Sequence, residues 1–482
     1  MKIALSGTEE LLIEAYRWIG AVSQAAWPGW RATETPLAVY QPNKRVLLVD
    51  HPDPPQGFSS AQSRVGDLAV FDGNHPQISG CTTVDLNGIQ TACVLVDYPH
   101  PEDCRFASLL GLVVHELFHS HSYSFAAGTG LDELAAYNLE DTVNNALCQV
   151  ANDLLARCSW GGALVADGGA VGPREGQPSP GALEELLAQY LAVRRYRRSR
   201  LTENQRALED TFERSEGSAQ YTAISALVGL REGDFELTKG LIRSGEGQGL
   251  LTEDNLASQI RNYVDGFVGF LRRCNVQGFG GPMHRGYMVG AITCSLLDSL
   301  VPDWKPHFIQ GAVPSELLDR VLDTEAEDIP SILDRYNYAA REETEVQYLA
   351  ERRRKERELA ERFYPVKNPV LIVDYSELPT KGCYSADPMN MVKLPDGRRV
   401  HTRIYMLQRP GLNLESHCVP PIPVMENRAD RELYIPLPAD LKLSSEVDSI
   451  DYGKNGLKLE CARCSVEQEG ESFRVRCYPE PD

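Results

Sequence analysis

No stretch of this 482-residue chain is long and apolar enough to span a bilayer, which excludes a membrane-spanning helix. Basic charge is scarce as well. Lys and Arg number 48 against 68 Asp and Glu, a net charge of -20. A general nucleic-acid or anionic-membrane binder needs the opposite balance, because both partners are negative. The N-terminus, MKIALSGTEELLIEAYRWIG, lacks a basic region followed by a long apolar run. It reads as a short strand or coil and then a helix capped near Ser6 or Thr8, with Glu9 and Glu10 in its first turn. The cytoplasm is therefore the expected location. Metal-knuckle spacing is nearly missing too. Among 12 cysteines only Cys461 and Cys464, in CARC, show it; no second CxxC follows, only Cys477. Buried thiols on β-strands are the expected state of these three. There is no internal repeat.

What is present is an ordinary globular composition, 42% hydrophobic and 24% charged, in a chain long enough for two or three domains. The fold class expected is α+β, with a mainly helical core between two strand-containing regions. Residues 1–103 mix the opening helix with short strands such as RVLLVD, TTVDLNG and TACVLVDY, set among Pro/Gly turns. From 104 to 330 the apolar period is helical, with runs over 106–122, 131–157, 182–200, 203–230, 253–274 and 285–300. The Gly/Pro-rich stretch 160–181 interrupts them as a long surface loop. Residues 331–364 form a charged linker helix. Residues 365–482 form a β-rich domain, expected as a sandwich that offers a surface for a protein partner.

One stretch carries chemistry. VVHELFHSHSY, residues 113–123, contains His115-Glu116-Leu117-Phe118-His119, the HExxH pattern. On a helix His115 and His119 stand one turn apart and can share a zinc ion, while Glu116 falls beside the open coordination position. The preceding FASLLGLVV is strongly apolar, so both imidazoles are expected against the core, where they need partners and a metal supplies one. TACVLVDY lies just upstream, as in zinc peptidases that bind substrate along a sheet edge. His121 sits about 200° around the helix from His119 and cannot join the pair while the helix continues. The third His of the metzincin pattern would fall at Phe125, which excludes that arrangement.

A carboxylate is then the expected third ligand. Glu140 in NLEDTVNN has thermolysin-like spacing from His119, Glu133 stands in LDELAAY, and Glu216 lies far downstream in FERSEGSAQY. Glu216 has the best local setting, because Gly217, Ala219, Ala223 and Ala226 allow its helix to approach a neighbour closely. A mid-helix Gly costs roughly 1 kcal/mol and calls for such a reason. Glu213, one turn earlier, is placed either to orient a bound histidine or as a surface acid. Arg194-Arg195-Tyr196-Arg197-Arg198 is expected as a solvated helix face rather than an anion grip.

EGSAQY resembles the EGxAxY segment of gluzincin metallopeptidases, in which a helical Glu completes a His/His/Glu zinc site. The order HExxH, LEDTVNNAL, LAVRRYRRSR, FERSEGSAQY and RGYMVGAITCSLLDSLVPDWK is similar to a bacterial, peptidase-like branch of that group. The resemblance covers residues 80–320 and says nothing about 365–482. It implies a zincin-like core, zinc as the cofactor, a peptide or protein substrate and Glu116 as general base. It also implies a Tyr or His that donates to the oxyanion, for which Tyr287 is preferred over His284. The long gap between His119 and Glu216 keeps Glu140 open as a ligand. A catalytically silent zinc scaffold, or a zinc hydrolase of a non-peptide substrate, fits the same residues.

Overall fold

The computed structural model describes residues 2–41, 44–73, 75, 77–78, 81–96, 106–123, 137–159, 179–232, 241, 256–273, 281–301, 303–322, 328–361, 369–379, 383–386, 391–394, 396–401, 404–409, 411–416, 423–437, 449–451, 457–461 and 463–479. They form two compact units. The first covers Met1–Val276 and Gly281–Glu342, and the second is built on Glu343–Asp482. The chain is mixed α+β, and none of its described helices is long and apolar enough to cross a membrane.

The first unit opens with helix α1 (Gly7–Ala26), whose start is a reciprocal cap. The Glu9 N–H donates to Ser6 Oγ and the Ser6 N–H to Glu9 Oε2. That pairing satisfies two of the donors a helix start leaves open. Six strands follow: β1 (Leu37–Gln41), β2 (Arg45–Val49), β3 (Ser59–Ser63), β4 (Gly66–Asp72), β5 (Thr82–Leu86) and β6 (Ile89–Leu95). Their order in the sheet is β3-β4-β2-β1-β6-β5. The strand expected at the edge, TACVLVDY, is β6, and it lies inside the sheet between β1 and β5. The hairpin through Asn87-Gly88, both at positive φ, places β5 outside it.

The helices of this unit are α2 (Phe106–Ser122), α3 (Thr142–Ser159), α4 (Pro180–Arg198), α5 (Glu203–Glu232), α6 (Leu256–Arg273), α7 (Gly281–Leu300), α8 (Trp304–Ile309), α9 (Pro314–Val321) and α10 (Ile329–Arg335). The boundary expected near residue 103 does not separate compact bodies. Apolar side chains of α1, of β1 and β2, and of α2, α5 and α7 belong to one continuous core. Around the second half of α2, Trp27 packs tilted and Trp30 edge-to-face against Phe118, and Trp304 and Phe308 extend the cluster edge-to-face from Trp27. Each fully buried ring contributes about 1.5–3 kcal/mol, so α2 is anchored on this side. The expected loop at 160–181 lies almost wholly outside the described residues.

Helix α11 (Tyr338–Glu361) was expected as a linker over 331–364, but the second unit begins within it, at Glu343. Its last turn packs Leu359 and Ala360 against Val400 and Met425 of that unit. Among the described residues twelve strands follow, β7 (Val370–Asp374), β8 (Cys383–Ala386), β9 (Met391–Lys393), β10 (Arg399–His401), β11 (Ile404–Arg409), β12 (Leu412–Ser416), β13 (Val424–Asn427), β14 (Glu432–Pro436), β15 (Ser449–Asp451), β16 (Leu457–Cys461), β17 (Cys464–Glu469) and β18 (Ser472–Cys477). They form sheets of seven and five strands whose facing residues share one core. Leu371 and Val373 come from the larger sheet, Leu412, Leu414 and Leu459 from the smaller. The β-rich character expected of this region is therefore present as two sheets that share a core.

Candidate metal centre

Helix α2 buries almost every residue of its apolar stripe, and His115 and His119 continue that stripe at i and i+4. His115 is 5% exposed. The two Nε2 atoms are 3.0 Å apart, and Glu216 Oε2 of α5 lies 3.4 Å from the first and 3.1 Å from the second. Among the described residues this is the single group of three ligand-type side chains converging on one point.

The donor set fits a tetrahedral ion. Bonds of about 2.0–2.1 Å at tetrahedral angles set ligand atoms roughly 3.3 Å apart, and all three separations lie near that value. Two imidazoles and one carboxylate are the set used by catalytic rather than closed structural zinc sites. His115 Nδ1 is buried and has no hydrogen-bond partner among the described residues, so the outer acceptor that usually fixes a ligand histidine's tautomer is not supplied by them.

Electrostatics couple the group tightly. Burial pushes the His115 imidazole down, with Glu216 opposing. Burial would lower His119 as well, but the Glu216 and Glu116 carboxylates outweigh it and raise it to about 9. Burial works against the Glu216 carboxylate too, yet the two histidines hold it well below the usual range. Glu116 moves the other way. Its burial dominates, His119 offsets part of it, and the carboxyl rises to about 7. A carboxyl poised there is suited to both accepting and releasing a proton near neutrality.

Glu216 reaches the pair because α5 is held on its other side. A Cβ added to Gly217 would stand 2.5 Å from Gly290 Cα of α7, and Gly290 in turn faces the Glu213 carbonyl. The small residues near Glu216 were expected to admit α2. The closest backbone approach is instead to α7, where glycines stand on both helices and only two hydrogens separate the chains. α7 also delivers Tyr287. Its ring stacks on His115, centroids 5.3 Å apart and planes 8° off parallel, and its phenol hydrogen-bonds Glu216. Burial and that carboxylate push the phenol well above its ordinary range, so it stays a donor. His284 was expected in a loop before this helix. It lies on the first turns of α7, stacked on Tyr287 and tilted against Phe270, one layer further from the histidine pair.

Three expectations are corrected. Glu140 stands exposed in a turn outside the group, because Asp141 accepts from the Asn144 N–H and starts α3 just after it. Glu213 does not orient a histidine. It is fully engaged by Arg194, at 2.7 and 3.0 Å, and by the Ser315 hydroxyl at 2.8 Å. The basic run is not a solvated face either: Arg194 and Arg197 are buried against α5, while Arg195 stays exposed. Their spacing of three residues matches Glu209 and Glu213 four apart, so two ion pairs stack between the helices. Glu133 lies outside the described residues. His121 is apart from the group, beside Phe118.

Several neighbours gave no signal in the sequence. Arg285 is buried, donates to Asn152 and lies 3.6 Å from Glu209. Thr83 of β5 approaches the Glu116 carbonyl at 3.5 Å. Cys81 is exposed as a residue, yet the atoms packed around its sulfur, with Glu116 nearby, raise its thiol to about 12. Only a charged or polar residue amid apolar ones marks such positions. No family model, curated protein or solved structure matches the chain.

Proposed function

We propose that the chain is a zinc-dependent hydrolase of peptide bonds, with a gluzincin-like arrangement of ligands. The observation that carries the reading is the His115, His119 and Glu216 triangle at tetrahedral edge lengths, with the buried Glu116 carboxyl beside it. A zinc ion bound there would leave a coordination position for water and bring that water's pKa to about 7.

Within this reading Glu116 takes the proton of the attacking water and returns it to the leaving amine, for which a carboxyl near neutrality is matched. A structural site would have no use for a base in that position. Tyr287 keeps its proton and turns it toward the developing oxyanion, from a ring fixed by stacking on His115. β5 is the outer strand of the described sheet and lies against α2. An extended peptide added to its free edge would run past the histidine pair, its backbone bonds replacing water. Glu216 would hold the metal with the two histidines, and Arg194 acts only through α5, by fixing the turn that precedes Glu216.

The test combines metal analysis with cleavage of a mixed peptide library. Wild type is expected to hold one zinc per chain and to cut peptides. Glu116→Gln should keep the zinc and lose at least a hundredfold in turnover. Zinc without cleavage of any peptide would turn the reading toward a silent scaffold or a different substrate class.

A further inference from the structure

The second unit holds three cysteines where its chain passes from one sheet to the other. Cys461 ends strand β16 (Leu457–Cys461) of the five-stranded sheet. Cys464 begins β17 (Cys464–Glu469) and Cys477 ends β18 (Ser472–Cys477), both in the seven-stranded sheet. Cys464 and Cys477 are register partners, and the Tyr478 N–H donates to the Arg463 carbonyl at 2.8 Å beside them. The closest sulfurs are not those of the register partners. Cys461 Sγ lies 3.2 Å from Cys477 Sγ, while Cys461 also hydrogen-bonds Cys464. Cys461 and Cys477 are buried; Cys464 is half-buried.

Two explanations of such a trio compete. A metal would need all three sulfurs gathered around one point, and they do not form such a group among the described residues. A disulfide needs only two sulfurs in contact, with a shift of about 1.2 Å from 3.2 Å to the bond length near 2.0 Å. We propose that Cys461, Cys464 and Cys477 form a thiol–disulfide relay, in which Cys464 receives oxidising equivalents and a Cys461–Cys477 disulfide stores them across the two sheets.

The oxidant is a low-molecular-weight disulfide. The Cys464 thiolate attacks one of its sulfurs and expels one small thiolate. Cys461 attacks the Cys464 sulfur, loses its proton to solvent and expels the second. Cys477 then attacks the Cys461 sulfur and returns Cys464 to a thiol. In sum two protein thiols become one disulfide, and one small disulfide becomes two small thiols. The buried pair is poorly placed to start, because the contact with Cys477 and then burial hold the Cys461 thiol protonated. The half-buried Cys464 supplies access. The closed bond joins β16 to β18 and shortens the unfolded chain's freedom between residues 461 and 477.

The full-length reduced chain, titrated with oxidised glutathione and quenched with alkylating reagent, tests this by peptide mass mapping. The expected product is a Cys461–Cys477 cross-link, with Cys464 alkylated and the unfolding transition of this unit raised by roughly 5–10 °C. Cys464→Ser should reach the same cross-link at least tenfold more slowly, and Cys477→Ser should stop at Cys461–Cys464. All three thiols remaining alkylatable, a Cys464–Cys477 product, or an unchanged rate in Cys464→Ser would overturn the relay. Cys464→Ser keeps both sulfurs of the buried pair, so its rate separates a relay from simple misfolding.

Discussion

Helix α5 carries four carboxylates within eight residues, and three of them, Glu209, Glu213 and Glu216, meet two different fates. Glu209 and Glu213 face arginines: Arg197 donates to Glu209 and Arg194 to Glu213, with Tyr137 and Ser315 completing the sets. Glu216, less than one turn further, faces two imidazoles and a phenol. The arginine pairs are closed. Each carboxylate has an arginine in bidentate reach, although Arg197 Nε is buried without a partner among the described residues. The histidine group is different: two imidazole nitrogens and a carboxylate oxygen face one point, and the proton His119 carries is one that a metal can displace. The first arrangement holds helices together; the second could hold a cation. Burial alone does not distinguish a scaffold charge from a ligand, but the kind of partner does.

The largest expected effect comes from breaking the closed end. Arg197→Ala leaves Glu209 buried without its main counter-charge and should cost about 3–5 kcal/mol of stability by denaturant titration. Gly290→Ala attacks the junction between the two ends, since its Cβ would meet the Glu213 carbonyl. Prising α5 from α7 should cost about 1–3 kcal/mol and displace Glu216, so zinc affinity should fall by at least tenfold in a chelator competition. If affinity were unchanged, the close approach would not position the ligand.

Glu216→Ala should invert that pattern. Zinc affinity collapses, while the metal-free fold loses less than in Arg197→Ala, because His119 can shed its proton once its partner is gone. Differential unfolding of the two variants without metal sharpens the contrast.

The open end was legible in sequence and the closed end was not. His115, Glu116 and His119 lie within five residues, so their spacing alone puts them on one helical face. Glu216 is 97 residues from His119, yet the glycine and alanines around it marked a helix needing close approach. The neighbour itself was misjudged, because glycine says that something comes near without saying what. Arg194 and Arg197 read as surface residues because an arginine's burial depends on carboxylates of another helix, a tertiary fact. The same holds for Cys461 and Cys477, brought together by sheet crossing rather than by CxxC spacing. The strands and helices themselves were read well, since their apolar periods are local.

Smaller effects probe protons at the open end. His119 is raised to about 9 in the metal-free protein, above its unfolded value near 6.5. Its contribution to stability is therefore complete below that unfolded value and fades as pH rises through about 9. Zinc must displace the same proton, so affinity should climb with pH over that window and calorimetry should detect proton release. A pH-independent affinity would mean that the histidine is not a ligand. The smallest expected change is in Tyr287→Phe, which keeps zinc and the fold but lowers turnover about 10–1000-fold with little change in KM.

The central claim is that His115, His119 and Glu216 hold one zinc ion. Metal content by mass spectrometry, on wild type and Glu216→Ala dialysed against the same zinc buffer, tests it most directly. One zinc per wild-type chain and nearly none in the variant is the result expected. Wild type without zinc, or a variant that keeps it, would contradict the claim.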